Sequence, residues 1–489
     1  MARLRTVIGG VGWTSLSSGV VAVVGIAKIV ILSRLLDRTD FGLAAIAISV
    51  AGIGHYLANF GISTALVHRQ TMTDREYSSI YLFSLFVAVL VYGAIWLGAP
   101  WLAHYYGSEE LSSVIRWSGL TLPLSAIGAQ HRTLLNKELR FRFTEIVEMA
   151  ASMVGLLVSI VLALRGYGVF AMVYSLLTYA GLCALGYAAK GMLERRYALR
   201  FRWVEVKPLL RIGGYQAAAE LLDHLTSESD VIIIGKLLGL EVLGAYSLMK
   251  QLATRPRTLL LPVIYKVSLP LFAQEQQDKT TLATTYLRTA RLVAVILIPL
   301  FAVAALVAPT LIELFYGSSY RAYAPIFAIL CFQVLFSSVV RLVNALTGAA
   351  GRTDLSFLWT VIVVVLFPAA VYLGATAGLT QAAWAMTGVS FLLVGLKFFV
   401  QIKPVLPISF GKYLAQFGYG LLWALPLTAI GAALYVGLQR SLPAFLLSVS
   451  AVSIGYLYLV YRYGATVDAG LYHLLSRFVP VSWLKKKTD

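Results

Sequence analysis

This chain is constrained above all by a succession of apolar stretches, each about twenty residues long, with almost nothing soluble between them. A bilayer core of about 30 Å is crossed by roughly 20 helical residues. Inside it the backbone must satisfy its own hydrogen bonds, which leaves helices or a closed barrel. Barrel strands run about ten residues and alternate apolar with polar; these stretches do neither. They place candidate spans at 12–33, 42–63, 78–99, 112–132, 143–164, 168–189, 212–235, 242–264, 288–308, 323–346, 355–374, 380–400, 417–438 and 442–462. The composition agrees. The chain is 59% hydrophobic and 13% charged, with a mean hydropathy of +0.80, whereas a soluble domain is about half apolar and a quarter charged. The expected fold class is all-α, a polytopic membrane protein of about 14 transmembrane helices. The opening MARLRTVIGGVGW puts basic residues before an apolar run that extends through about Ser33 with no small-residue cleavage site, so it reads as a retained first helix.

Net charge is +18. On a soluble protein that balance points to nucleic acid; on a membrane protein it points to cytoplasmic loops. With the N-terminus in the cytoplasm, 27 of the 40 Lys and Arg residues fall on the cytoplasmic side, Arg132 and Lys397 among them, and 6 on the other. The asymmetry predicts both termini inside and an even number of helices, and it accounts for the charge without a nucleic-acid partner. The longest connection, 190–211, is basic and interleaved with aromatics, as expected of a segment lying on anionic lipid. Cys183 and Cys331 sit in apolar stretches and read as packing residues, neither a disulfide nor a metal pair.

The chain repeats itself. ILSRLLDRTDFGLA (31–44) lies over IIGKLLGLEVLGAY (233–246) at an offset of 202 residues, with Arg34 on Lys236 and Gly42 on Gly244. YYGS (105–108) is echoed by FYGS (315–318). Six spans separate the matched segments, so the two copies share one orientation, as in transporters built from parallel repeats. The domain plan that follows is an N-terminal six-helix lobe (1–189), a basic cytoplasmic linker (190–211), a second six-helix lobe (212–403), and two added helices with a basic tail (404–489).

A charge at the centre of a membrane helix costs roughly 2.5–3.5 kcal/mol, so such residues rarely face lipid. The seventh span carries Glu220, Asp223, Glu228 and Asp230, and the eighth carries Lys250, Arg255 and Arg257 around Pro256. Lys28 on the first span falls over Asp230 at the 202 offset, which predicts that the two approach each other in one state. Arg116 lies at an intermediate depth in the fourth span. A purely structural role, with these charges pairing among themselves, is the competing reading. Glu145, Glu148, Lys266 and Arg341 lie near cytoplasmic span ends and are expected to snorkel. His55 and His131 are expected to be packing residues. No P-loop, CxxC pair, HExxH or GxSxG is present, so an enzyme, a metal site and a cofactor are not expected.

The run TVIGGVGWTSLSSGV, then SRLLDRTDFGLAAIAISV ahead of NFGISTALVHRQ, together with FYGSSYRAYAPIFAIL, resembles the polysaccharide-transporter branch of the multidrug/oligosaccharidyl-lipid/polysaccharide exporter superfamily. The resemblance spans nearly the whole chain and is strongest to Wzx-type flippases of the colanic-acid and exopolysaccharide kind. It implies movement of undecaprenyl-pyrophosphate-linked oligosaccharide repeat units across the cell inner membrane, by two lobes rocking around a cationic cavity. Lys28, Arg116, Lys250, Arg255 and Arg257 are then candidates for substrate binding. Glu220, Asp223, Glu228 and Asp230 are candidates for coupling or ion pairing. The implied partners are the lipid-linked oligosaccharide, membrane lipids, and polysaccharide polymerase and co-polymerase proteins. A drug or cation antiporter of the same superfamily is the alternative, though it calls for an acidic cavity and twelve helices. A polysaccharide polymerase calls for a large periplasmic loop that the sequence lacks, and the intramembrane charges disfavour an inert scaffold.

Overall fold

A computed structural model describes residues 2–59, 73–138, 140–194, 201–437 and parts of 443–455. The fourteenth expected span (442–462) lies largely outside the described residues. So do the basic C-terminal tail and all but the first residue of NFGISTALVHRQ. Among the described residues the regular structure is helical throughout, and nine helices are long and apolar enough to cross a membrane. Helix is what a lipid-embedded backbone requires, because each N–H then finds its acceptor within the same segment.

The chain divides into two compact units, 1–248 and 249–489. The first contains α1 (Ala2–Leu32), α2 (Arg38–Asn59), α3 (Asp74–Tyr106), α4 (Glu109–Gly119), α5 (Thr121–Lys137), α6 (Phe141–Leu164), α7 (Phe170–Glu194), α8 (Trp203–Leu238) and the opening turns of α9 (Leu240–Gln274). α6 packs on α1 and α7, α5 on α7, and α2 on α4 and α8. Because α8 packs on α2 and α3, the linker at 190–211 lies inside the first unit. Much of that linker is helix: α7 continues to Glu194 and α8 begins at Trp203, with Phe201, Trp203 and Val204 exposed.

The single span expected at 112–132 is two helices that break at Leu120. Pro123 explains the break. It has no N–H to bond the carbonyl of Gly119, and its ring crowds that carbonyl. Thr121 Oγ1 turns back to the Ser118 carbonyl at 2.7 Å. The YYGS and FYGS echoes also acquire a shared role. α3 stops at Tyr106 and α11 (Ala308–Tyr316) at Tyr316, each followed by a glycine at positive φ, 71° at Gly107 and 96° at Gly317. Gly107 is left-handed αL, while Gly317 has ψ 168°, and glycine enters either at the least cost.

The remaining helices form the second unit: most of α9, α10 (Lys279–Leu306), α11, α12 (Ala324–Arg341), α13 (Val343–Ala349), α14 (Thr353–Ala375), α15 (Leu379–Lys397) and α16 (Phe410–Gly437). α16, the first of the added helices, packs on α10, and α15 packs on α12 and α14. Asp278 caps α10. Hydroxyl bonds from Thr280 and Thr281, with their backbone N–H groups, hold its carboxyl well below the usual range.

One contact in the first unit connects fold to repeat. A Cβ on Gly42 would stand 2.0 Å from the Leu240 carbonyl oxygen, and one on Gly244 would stand 1.7 Å from the Arg38 carbonyl oxygen. The offset of 202 residues that pairs Gly42 with Gly244 also pairs Arg38 with Leu240. The two repeat copies therefore meet at their own matched glycines, in two equivalent contacts, where α2 and α9 begin. Arg38 Nη1 also reaches Glu241 Oε1 at 3.1 Å across this crossing.

Candidate functional site

Further along α2 the packing opens. α2, α5, α6 and α7 enclose a cavity of about 330 Å³, and a second of about 390 Å³ lies beside it, with His55, Ser125, Ala129 and Arg132 on the walls of both. On the shared wall Arg132 Nη2 meets Glu148 Oε1 at 2.5 Å. The Glu148 side chain is only 17% exposed, against 50% for Arg132. The Tyr187 hydroxyl donates to the same carboxylate oxygen at 3.1 Å. Charge-assisted bonds of this kind fix both partners. Glu148 therefore does not snorkel as expected; an arginine on the neighbouring helix draws it inward. His55 Nε2 lies 3.4 Å from Thr121 Oγ1, while His131 is fully buried with its ring beside Tyr81. Gln130 donates to the Tyr77 carbonyl at 3.0 Å, yet its Oε1 is buried with no hydrogen-bond partner.

The acidic residues of α8 approach this region from the other side of α2. Tyr56, on the wall of the larger cavity, lies within electrostatic reach of Glu220, Asp223 and Glu228. The His224 ring sits 4.8 Å from the Tyr56 ring, and a Cβ on Gly52 would stand 2.5 Å from His224 Nε2. Asp230, 3% exposed, is placed differently: it accepts the Tyr246 hydroxyl and the Val231 N–H near the end of α8. Lys28 donates to Ser175 Oγ at 3.1 Å, joining α1 to α7. Arg116 lies over the Trp96 ring at 4.8 Å and donates to the Trp96 carbonyl at 3.3 Å, beside exposed Trp96 and Leu97. The structure thus brings Glu220, Asp223 and Glu228 within electrostatic reach of Tyr56, and Glu228 within reach of Tyr246 as well. It seats Lys28, Arg116 and Asp230 on other partners.

Lys250, Arg255 and Arg257 belong to the second unit. All are half-buried on α9, whose backbone ladder Pro256, Pro262 and Pro270 interrupt. Arg257 Nη1 donates to Ser337 Oγ of α12 at 3.2 Å, and Arg255 lies within electrostatic reach of buried Tyr316. Lys397 is the correction here. Counted by position as a cytoplasmic loop cation, it is 1% exposed, bonded to Asn344 Oδ1 at 2.9 Å and set over the Trp359 ring at 4.8 Å. Arg132, Glu148 and Lys397 are the residues that sequence reasoning passes over. For the first two a signal exists: opposite charges at the facing ends of consecutive spans, joined by a short connection, are placed to meet. Lys397 offers none, since its partners are an amide and a ring distant in sequence.

Helices long and apolar enough to cross a membrane, interrupted by proline and carrying charges turned into their bundles, define a polytopic membrane protein. The backbone agrees. The lipid II flippase MurJ in its inward closed conformation matches with a TM-score of 0.76 at 13% identity, covering 93% of this chain and 99% of that one. An inward-facing multidrug resistance MATE family transporter matches at 0.59 with 16% identity, covering 79% and 94%. Residues 31–325, more than half of the chain, match the polysaccharide biosynthesis protein family, and the chain belongs to it. The lipopolysaccharide biosynthesis protein WzxC of Escherichia coli (strain K12) is 26% identical over 452 residues, 90% of each chain. The succinoglycan biosynthesis transport protein ExoT of Rhizobium meliloti (strain 1021) is 26% identical over 418 residues, 84% of this chain and 83% of its own.

Proposed function

We propose that the protein moves undecaprenyl-pyrophosphate-linked oligosaccharide repeat units from the cytoplasmic to the periplasmic leaflet of the inner membrane, for exopolysaccharide, capsule or lipopolysaccharide assembly. The observation that carries this reading is a pair of arginines, Arg255 and Arg257, held half-buried inside a proline-broken helix of a polysaccharide biosynthesis family member. A sugar diphosphate is anionic and hydrophilic. It needs cations in a wet cavity while its lipid tail stays in the bilayer. Arg255 and Arg257, with Lys250, bind the diphosphate from the second unit, and Lys28 is a separate candidate cation in the first. Glu220, Asp223 and Glu228 couple transport to an ion gradient or pair with cations of their own unit, and Asp230 steadies the junction of α8 with α9. Arg116 anchors the aromatic end of α3. The flippase fold and the relatives named for lipopolysaccharide and succinoglycan biosynthesis support the reading.

In this scheme two six-helix lobes, 1–189 and 212–403, alternate access around the site, both termini lie in the cytoplasm, and a polymerase with its co-polymerase receives the exported unit. A deletion strain tests it. Lipid-linked repeat units should accumulate on the cytoplasmic face, relieved by the wild-type gene. Arg255→Ala/Arg257→Ala, expressed at normal levels, should leave export about tenfold or more below wild type. Unchanged glycan export on deletion overturns the reading. Reporter fusions at each terminus check the orientation.

A further inference from the structure

We infer that the adjoining cavities of the first unit form a subsite for an uncharged sugar ring of the lipid-linked oligosaccharide, an inference that rests on the exporter reading. Size comes first. At about 330 and 390 Å³, each is of small-ligand dimensions, whose range begins at about 300 Å³. Charge comes second. Arg132 and Glu148 are 2.5 Å apart and cancel each other, so the shared wall is polar but carries no net charge from them. A hydroxyl-rich neutral ligand can bond to this wall and leave the pair intact. The fork of the half-exposed guanidinium and the second carboxylate oxygen offer further donors and an acceptor. Third, Ser125 lies on the walls of both cavities, and Asn59, Thr133 and Asn136 on that of the larger, so further hydroxyl and amide groups line them. Tyr56 and Tyr179 add aromatic rings to the walls.

The test uses the purified full-length protein in lipid nanodiscs with two probes. One is the lipid-linked repeat unit isolated from the deletion strain, and the other is bare undecaprenyl diphosphate. Wild type should bind the sugar-bearing carrier about tenfold more tightly than the bare one. Ala129→Phe fills the wall common to both cavities and leaves the ion pair alone. It should bring that ratio to about one while the Kd for the bare carrier stays put. Arg132→Met/Glu148→Leu removes both members of the pair together and should do the same. It supplies the answer if Ala129→Phe does not fold, which the unfolding temperature reports. Persistence of the ratio in the folded variant overturns the proposal, as does an equal loss of affinity for both probes. Equal binding of both probes by wild type overturns the subsite and leaves the exporter reading standing. Failure of wild type to bind either probe removes the exporter reading itself.

Discussion

The two ends of α2 are opposites. At its start, Gly42 meets the backbone of α9 so closely that a single methyl would stand 2.0 Å from a carbonyl oxygen. Ten or so residues on, Ala51 and His55 border open space between α2, α5, α6 and α7. One end is specified by the absence of side chains, the other by which side chains stand around a void. The lesson concerns what each end tolerates. The crossing has no slack, because carbonyl oxygens of a hydrogen-bonded helix cannot rotate aside. The cavity walls can be redrawn without moving a backbone. The transport proposed above calls for both kinds of region: surfaces that fit in one way only, and space that a hydrophilic cargo can enter.

The largest expected effect lies at the crossing. Gly244→Ala places its Cβ 1.7 Å from the Arg38 carbonyl oxygen, and Gly42→Ala meets Leu240 in the matching way. Either should cost about 3 kcal/mol or more, at the upper end of overpacking penalties, and show as lost expression or a markedly lower unfolding temperature in detergent. Gly93→Ala, with nothing within 4 Å of its Cβ, is the control and should be silent. If Gly244→Ala unfolds at the temperature of Gly93→Ala, the crossing is not the close fit described.

The middle effect lies at the cavity. Glu148→Leu alone leaves the Tyr187 hydroxyl without its carboxylate and Arg132 facing an apolar group. It should cost about 1–2 kcal/mol, discounted because Arg132 is half in solvent. Arg132→Met/Glu148→Leu should recover part of that loss, since replacing both members of a buried pair is tolerated better than removing one. A double variant less stable than the sum of the single variants would show that the walls are as unforgiving as the crossing.

The crossing is legible in the sequence, and the cavity is not. The offset of 202 residues sets Gly42 over Gly244, and close approach of matched elements is the plainest reason for a repeat to keep a glycine. The apolar stretches likewise announce their helices, because twenty lipid-facing residues have few other options. The cavity depends on side-chain direction, which position along a chain does not give. By position Arg132 and Lys397 both count as cytoplasmic-side cations at span ends, yet one turns into a cavity beside Glu148 and the other into the core against Asn344 and Trp359. A tally of charges by side treats a lysine that reaches water and one that turns inward alike. The break at Leu120 is visible in Pro123, but only to a reading that follows the hydrogen-bond ladder rather than hydropathy.

The smallest expected effect separates two explanations of the crossing. Arg38 and Glu241 bridge it at 3.1 Å, with side chains 30% and 64% exposed. If charge holds α2 to α9, Glu241→Gln should resemble Gly244→Ala. If the backbone fit holds them, the bridge is an ordinary exposed ion pair, worth about 0–1 kcal/mol and weakened by salt. We expect the second. Glu241→Gln should lower the unfolding temperature slightly at low ionic strength, and raising the salt to about 1 M should close the gap, since the screening length is then about 3 Å. A salt-insensitive loss as large as that of Gly244→Ala would reverse the assignment. The pair would then be a latch that locks the crossing, and the glycines would serve only to let Arg38 and Glu241 reach each other.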